Sequence, residues 1–340
     1  MYGATSGAAD DKDAPVNTPA DLDGISSVRW SPTRSMLIAT SWDRRVLAWD
    51  INGRQTRQRA MHNKHQGPVL CSTFSTDGSK VFSGSCDTLA KMWDLQSQNV
   101  SDIGKHSMPI RSIKLCSSHN LVATGSWDKT VKYWDCRQQQ PSLSVDLKER
   151  VYGMDCLGNL LVVAMAGRLV NIYDLRKPAA TWKSDQSSLK NQIRCVTCFP
   201  DKSGYAAGSV GGRVAINYVM QKDSKRNFMF KCHRIKAAHD ANRADVYAVN
   251  AIEFHPRGTF ATAGSDGQFV FWDKENRQRL KKFKRCSDTI ACCAFNRQGS
   301  IFAYAISYDW SKGMNNYVNK ANKIFLHPVD AKEVEPQPRR

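Results

Sequence analysis

The stretch Gly125-Ser126-Trp127-Asp128-Lys129-Thr130-Val131-Lys132-Tyr133-Trp134-Asp135 decides how the rest of the chain is read. It holds a short polar turn, then an alternating apolar segment of strand length that ends on Trp134-Asp135. Two similar runs precede it, Ser41-Trp42-Asp43 with Trp49-Asp50 and Gly84-Ser85-Cys86-Asp87 with Trp93-Asp94. Trp49, Trp93 and Trp134 fall 44 and 41 residues apart, within the period of roughly 40 to 45 residues that accommodates four short strands. Weaker copies continue in register: Val162 to Tyr173-Asp174, Gly208-Ser209 to Tyr218, Gly264-Ser265-Asp266-Gly267 to Trp272-Asp273, and Ile306-Ser307-Tyr308-Asp309 to Phe325.

Seven such units predict an all-β chain forming a single seven-bladed WD40 β-propeller. Its sheets stand radially, so inner segments such as Leu121-Val122-Ala123-Thr124 are apolar on both faces. An open ring would leave exposed sheet edges. The seventh unit stops at Ile324-Phe325-Leu326-His327, so its outer strand is expected from the N-terminus, around Asp13 to Asn17. The expected boundaries are a disordered tail over 1–12, the propeller over 13–329 and a polar tail over 330–340. Three connections exceed what the repeat needs, Lys177 to Gln192, Met220 to Asp245 and Asp309 to Lys323, and long insertions commonly carry function.

With 49 Lys and Arg against 31 Asp and Glu, the chain has a formal charge of +18, an excess that points to acidic partners such as nucleic acid or an acidic peptide. No apolar run is long enough to cross a bilayer, so no membrane insertion is expected. The 11 cysteines are scattered and odd in number, which fits a reducing nuclear or cytosolic compartment with thiols used as small core residues.

Residue types of a hydrolase triad occur twice, as His65, Ser85 and Asp87 and as His106, Ser126 and Asp128. Each set repeats at the same unit positions beside its tryptophan, Trp93 or Trp134, so both are read as structural hydrogen-bond sets. A catalytic serine also needs an oxyanion hole and a cleft, and a motif repeated around a ring supplies neither. No catalytic residue is expected. Cys195 and Cys198 stand three apart in an extended segment and point to opposite faces, and no second pair completes a metal site. Gly208-Ser209-Val210-Gly211-Gly212 opens no helix and reads as a turn. No metal or cofactor is expected.

Two basic segments stand out. Lys274, Arg277, Arg279, Lys281, Lys282, Lys284 and Arg285 face one acid, Glu275, and Lys222 to Lys236 interleaves six cations with Phe228 and Phe230. Both lie at the outer edges of units five and six, which are neighbours. Cations beside aromatics suit a groove that tracks a single-stranded backbone and stacks its bases. Solvated outer strands with buried phenylalanines would give the same pattern.

Further motifs narrow the reading: Ala90-Lys91-Met92-Trp93-Asp94-Leu95, Phe230-Lys231-Cys232-His233-Arg234, Tyr247-Ala248-Val249-Asn250, Phe254-His255-Pro256, Phe271-Trp272-Asp273-Lys274 and Ser307-Tyr308-Asp309-Trp310-Ser311-Lys312-Gly313. Over roughly Ile25 to Val329 the chain resembles the mRNA-export WD-repeat nucleoporin family. A sibling, the mitotic-checkpoint propeller that binds short motifs of kinetochore proteins, shares the Phe-Lys-Cys-His-Arg run but typically lacks Tyr-Asp-Trp-Ser-Lys-Gly. It remains the alternative.

The resemblance implies a non-catalytic adaptor in the nucleus, at the nuclear envelope's pore complex, with some cytoplasmic presence. The adaptor would bind the acidic GLEBS motif of a Phe-Gly-repeat nucleoporin across its face, and RNA or messenger ribonucleoprotein in a side groove. Carried over by motif, that groove comprises Arg213, Phe230, Trp272, Asp273, Lys274 and Arg277. Trp272 also holds the repeat's structural position, so packing and binding both stay open for it. Two departures from the family pattern are Asp87-Thr88-Leu89, where Asp-Lys-Thr is more usual, and the extra basic run Arg279 to Arg285.

Overall fold

The computed structural model describes residues 7–138, 140–237, 240–311, 313, 315, 317 and 322–336. Lys312 of the Tyr-Asp-Trp-Ser-Lys-Gly run, residues 1–6 and 337–340 of the tails, and the side chain of Lys236 lie outside the described part. Seven four-stranded antiparallel sheets follow one another along the chain. Blade one runs from Ile25 to His62, blade two from Val69 to Lys105, blade three from Ile110 to Asp146, and blade four from Val151 to Gln186. Blade five spans Ile193 to Lys231 and blade six Val249 to Lys282. Blade seven takes Ile290–Phe295, Ile301–Ile306 and Lys323–Pro328 from the C-terminal end and Ala14–Pro15 from the other.

The expected closure is therefore present, with Ala14 opposite Leu326, Pro15 opposite Phe325, and the Val16 N–H donating to the Ile324 carbonyl at 2.8 Å. Proline is tolerated there because the strand is the sheet's edge and its missing N–H interrupts no ladder. Burial follows the radial arrangement. Second strands such as Leu160–Met165 and Gly204–Ser209 are buried throughout, since a neighbouring blade covers each face. Outer strands such as Gln55–His62 are largely exposed.

In all seven blades the register of the innermost strand slips after its first residue. A bulge leaves one residue unpaired and redirects its side chain. The residues so redirected are Ser26, Leu70, Arg111, Tyr152, Arg194, Asn250 and Ala291, and all seven line the central channel.

Both ends of the chain pack more than the sequence suggested. Within the expected N-terminal tail, Ala9 is buried among the aromatics of blades six and seven and its N–H donates to Tyr304 Oη at 2.9 Å. In the expected C-terminal tail, one helical turn over Ala331–Val334 buries Glu333 and Val334. Buried His327 joins the two ends, bonding Asp13 at 2.6 Å and Glu333 at 2.9 Å. Burial alone would lower the His327 pKa, but these two carboxylates outweigh it and raise it to about 9. Lys177 to Gln192 is no insertion, because it contains the outer strand of blade four, Thr181–Gln186.

Candidate functional site

In both sets the histidine pairs with its aspartate, but its second partner is not the serine the sequence suggested, and the tryptophan joins the hydrogen bonds in blade three. His65 donates through Nδ1 to Asp87 Oδ2 at 2.8 Å, and its Nε2 meets Ser83 Oγ at 2.8 Å, where Ser85 had been expected. Ser85 instead donates to the Gly67 carbonyl and accepts the Asp87 N–H. In blade three His106 bridges Asp128 and Thr124 at 2.8 and 2.7 Å, and Trp134 Nε1 donates to Thr124 Oγ1 at 2.7 Å. Ser126 closes the loop onto Met108 and Pro109. Residues two apart share a strand face, so spacing alone does not choose between Ser83 and Ser85. Burial would raise the Asp87 pKa, yet hydrogen bonds from His65 and the Gln66 N–H bring it down to about 2. The carboxylate therefore only accepts, which fixes the proton on His65 Nδ1.

Blade six carries a third set: His233 bonds Asp266 at 2.8 Å and Thr262 at 2.9 Å, and Trp272 Nε1 donates to Thr262 at 2.9 Å. The histidine and aspartate stand 22 residues apart in blades two and three but 33 apart here. The difference is a hairpin, Arg234–Ala237 with Asp240–Val246, inserted between blades five and six. It hides the set from a search at fixed spacing.

The hairpin also opens a cleft. Its volume is about 620 Å³, and five cations line it, Lys231, Arg234, Arg243, Arg279 and Lys282, together with half-buried Trp272. Phe230 packs against Trp272 with ring centroids 4.6 Å apart. Register slips in the outer strand of blade six between the partners of Phe271 and Trp272, which brings Arg279 and Lys282 to one side. Lys281 turns the other way, to Glu333 at 2.9 Å. The extra basic run is thus divided between a clasp and a cleft.

The six residues carried over from the family divide as well. Phe230 and Trp272 meet, exposed Arg277 lies 4.7 Å over the Phe228 ring, and half-buried Arg213 pairs across the sheet with Lys231. Asp273 and Lys274 are 3% and 5% exposed. Asp273 accepts the backbone N–H groups of Glu275 and Asn276. Lys274 pairs with Glu275 and lies over the rings of Phe199 and Tyr218 at 4.9 and 5.7 Å. Both charges are engaged within the framework, that of Lys274 across the seam between blades five and six.

A second surface surrounds the mouth of the channel. Deeper in, Lys114 pairs with Asp155 at 2.8 Å and Arg29 with Glu253 at 3.7 Å. Arg111 and Arg194, turned inward by their bulges, have no hydrogen bond or ion pair among the described residues. Burial, and to a smaller degree Arg194, pulls the Arg111 pKa below the usual guanidinium range. Around this mouth Trp42 and Trp310 are more than a third exposed and 6.0 Å apart, and Trp310 stacks on Tyr317 at 5.1 Å. Sequence reasoning missed the arginine pair. Ile110-Arg111 and Ile193-Arg194 are visible as text, but only the bulge turns them to the axis.

Among the described residues no group of three or more His, Cys, Asp or Glu could hold a metal ion, and no helix is long and apolar enough to cross a membrane. The family described as WD domain, G-beta repeat, matches residues 16–50, 57–94, 97–135 and 230–273, which are blades one to three and the blade with the third set. Over 335 residues the chain is 47% identical to the Poly(A)+ RNA export protein of Schizosaccharomyces pombe, covering 97% of this chain and 94% of that one. It belongs to the mRNA export factor family. Protein RAE1 of Arabidopsis thaliana is 47% identical over 95% of this chain and 92% of its own. The mRNA export factor of Danio rerio is 44% identical over 96% and 91%. The solved structure of U3-55K superposes with a TM-score of 0.81 over 94% of this chain and 98% of that one at 15% identity, a likeness of fold alone. As a member of the family the chain has its role in mRNA export.

Proposed function

We propose that this mRNA export factor is a non-catalytic adaptor at the nuclear pore, with one surface for an acidic nucleoporin segment of the GLEBS type and another for RNA or messenger ribonucleoprotein. The cleft between blades five and six carries the RNA half of this reading. Cations on both of its walls suit phosphates, and the rings of half-buried Phe230 and Trp272 suit a stacked base, a contact worth about 1–3 kcal/mol per base. Arg277 extends the positive surface over Phe228. Asp273 and Lys274 act in this scheme by fixing the turn that presents Arg277.

The channel mouth supports the acidic-segment half. Among the described residues Arg111 and Arg194 form no ion pair in a partly buried setting, with the Asp309 carboxylate attracting Arg194 through space, so a further carboxylate that reaches them gains more than one meeting surface lysines. Exposed Trp42 and Trp310, in the turns of blades one and seven, offer apolar anchors of the kind that dominate binding energy at interfaces.

Two binding measurements on the full chain test the halves separately. Titration with a synthetic GLEBS peptide should lose affinity in Arg111→Glu/Arg194→Glu and keep it in Arg279→Glu/Lys282→Glu. Titration with single-stranded RNA should show the reverse. A peptide that binds neither the native chain nor any variant at low micromolar concentration overturns the nucleoporin half, and RNA affinity indifferent to Arg279 and Lys282 overturns the other.

A further inference from the structure

The innermost strands of blades three, four and five carry a cysteine at or next to their ends, Cys116, Cys156 and Cys198, with Cys116 one position further along its strand than the other two. The first two meet across the seam between blades three and four, with Sγ atoms 3.4 Å apart and both thiols free. The Cys198 thiol donates instead to the backbone carbonyl of Asp155. Cys116 is 1% exposed, whereas Cys156 is only partly buried. They border an apolar cluster with Tyr133 and Tyr173, in which Tyr133 Oη has no hydrogen-bond partner among the described residues.

We propose that Cys116 and Cys156 are an oxidation site at which hydrogen peroxide forms a disulfide that staples blade three to blade four. The chemistry balances in two steps. The more accessible sulfur, Cys156, attacks peroxide, an S–O bond forms as the O–O bond breaks, and water leaves. Cys116 then attacks the Cys156 sulfenic acid, an S–S bond forms, and its own proton leaves with the hydroxyl as a second water. Two electrons from the thiol pair have reduced one peroxide. Proximity favours this outcome over further oxidation, because the resolving sulfur is already in contact and the product needs an approach of little more than 1 Å to reach about 2.05 Å.

The reaction is slow and accelerates with pH. The hydrogen bond to Cys116, and then burial, hold the Cys156 thiol well above its ordinary range, so little thiolate exists at neutral pH to act as nucleophile. The pair therefore answers to sustained oxidant rather than brief pulses.

The test treats the full-length chain with hydrogen peroxide, blocks remaining thiols by alkylation and maps peptides without reduction. A linked peptide containing Cys116 and Cys156 is expected as the main crosslink, forming faster at higher pH. Melting temperature should rise by about 5 °C, as expected for a disulfide closing a loop of this length. Cys156→Ala should lose the crosslink and the shift, Cys116→Ser should do the same, and Cys86→Ser should retain both. Reduced-state melting of each variant is recorded first, so that Cys156→Ala decides the matter if Cys116→Ser folds poorly. Native protein in which Cys156 proceeds to sulfinic acid, links to Cys198 or stays reduced while Cys86 and Cys136 oxidise would overturn the proposal.

Discussion

Blades three and six contain the same four hydrogen-bonded side chains in the same geometry, yet only one of them is enclosed. In blade three, Trp134 is 2% exposed, and the outer strand of blade two passes so close that a Cβ on Gly104 would lie 2.5 Å from its ring. In blade six the corresponding Trp272 is half-buried, is packed by Phe230, and forms part of a cation-lined cleft. What differs is the route of the chain. Blade two passes straight into the histidine of blade three, whereas after His233 the chain makes a hairpin before starting blade six. A binding surface is thus obtained by leaving a structural tryptophan partly uncovered, without altering the hydrogen bonds that hold it.

The comparison breaks most visibly at the two tryptophans. Trp134→Ala should cost about 3–5 kcal/mol of stability with RNA affinity of the folded protein intact, read by denaturant unfolding and filter binding. Trp272→Ala should cost less stability and weaken RNA binding about tenfold. Equal losses of RNA affinity in the two variants would mean that exposure does not separate their roles.

Titration of the seam that closes the ring sharpens the comparison by testing whether both blades depend on it. Because the folded pKa of His327 is raised to about 9, its contribution is complete below the unfolded value near 6.5 and fades as pH rises through 9. Unfolding free energy should fall by about 3 kcal/mol between pH 7 and pH 10, with both blades melting together. On the acid side Glu333 works in the opposite sense. Burial would raise its pKa, but His327 and Lys281 bring it to about 2, so its contribution is present above about 4.5 and is lost as pH falls through 2. His327→Gln should flatten the alkaline limb.

Charge comes next. Arg279→Glu/Lys282→Glu should reduce RNA affinity by about tenfold or more and lower the salt slope by about 2, without moving the melting temperature. Lys129→Glu on blade three, which removes an exposed pair with Glu149, should leave RNA binding unchanged. The smallest effect lies in blade two, where Thr88 adopts φ 74, a left-handed conformation unfavourable for a β-branched side chain. Blades five and six have Gly212 and Gly267 in the corresponding turns, at φ 58 and 71. Thr88→Gly should therefore stabilise the protein by about 1 kcal/mol, visible as a small rise in melting temperature. The Asp87 contacts survive the departure, since its carboxylate still accepts the Leu89 N–H.

By itself the sequence determined the architecture. Recurrence of tryptophan, polar turn and apolar strand is local information, and because each blade packs against a copy of itself, the repeat alone fixes four strands, seven sheets and a closing strand from around Asp13 to Asn17, within which the structure pairs Ala14 and Pro15. It also located the basic stretch on blades five and six, since clustered charge needs no coordinates to be seen. Tertiary structure decided which of those charges are available. Lys274, Lys281 and Asp273 are adjacent in text to Arg277, Arg279 and Lys282, but burial, ion pairing and one slipped register commit the first three to the framework. The same holds for Ser83 against Ser85, where strand alternation makes two positions equivalent until a histidine reaches one of them. Arg111 and Arg194 show it most fully: a bulge turns each from the sheet to the axis, and they become neighbours only when the ring closes.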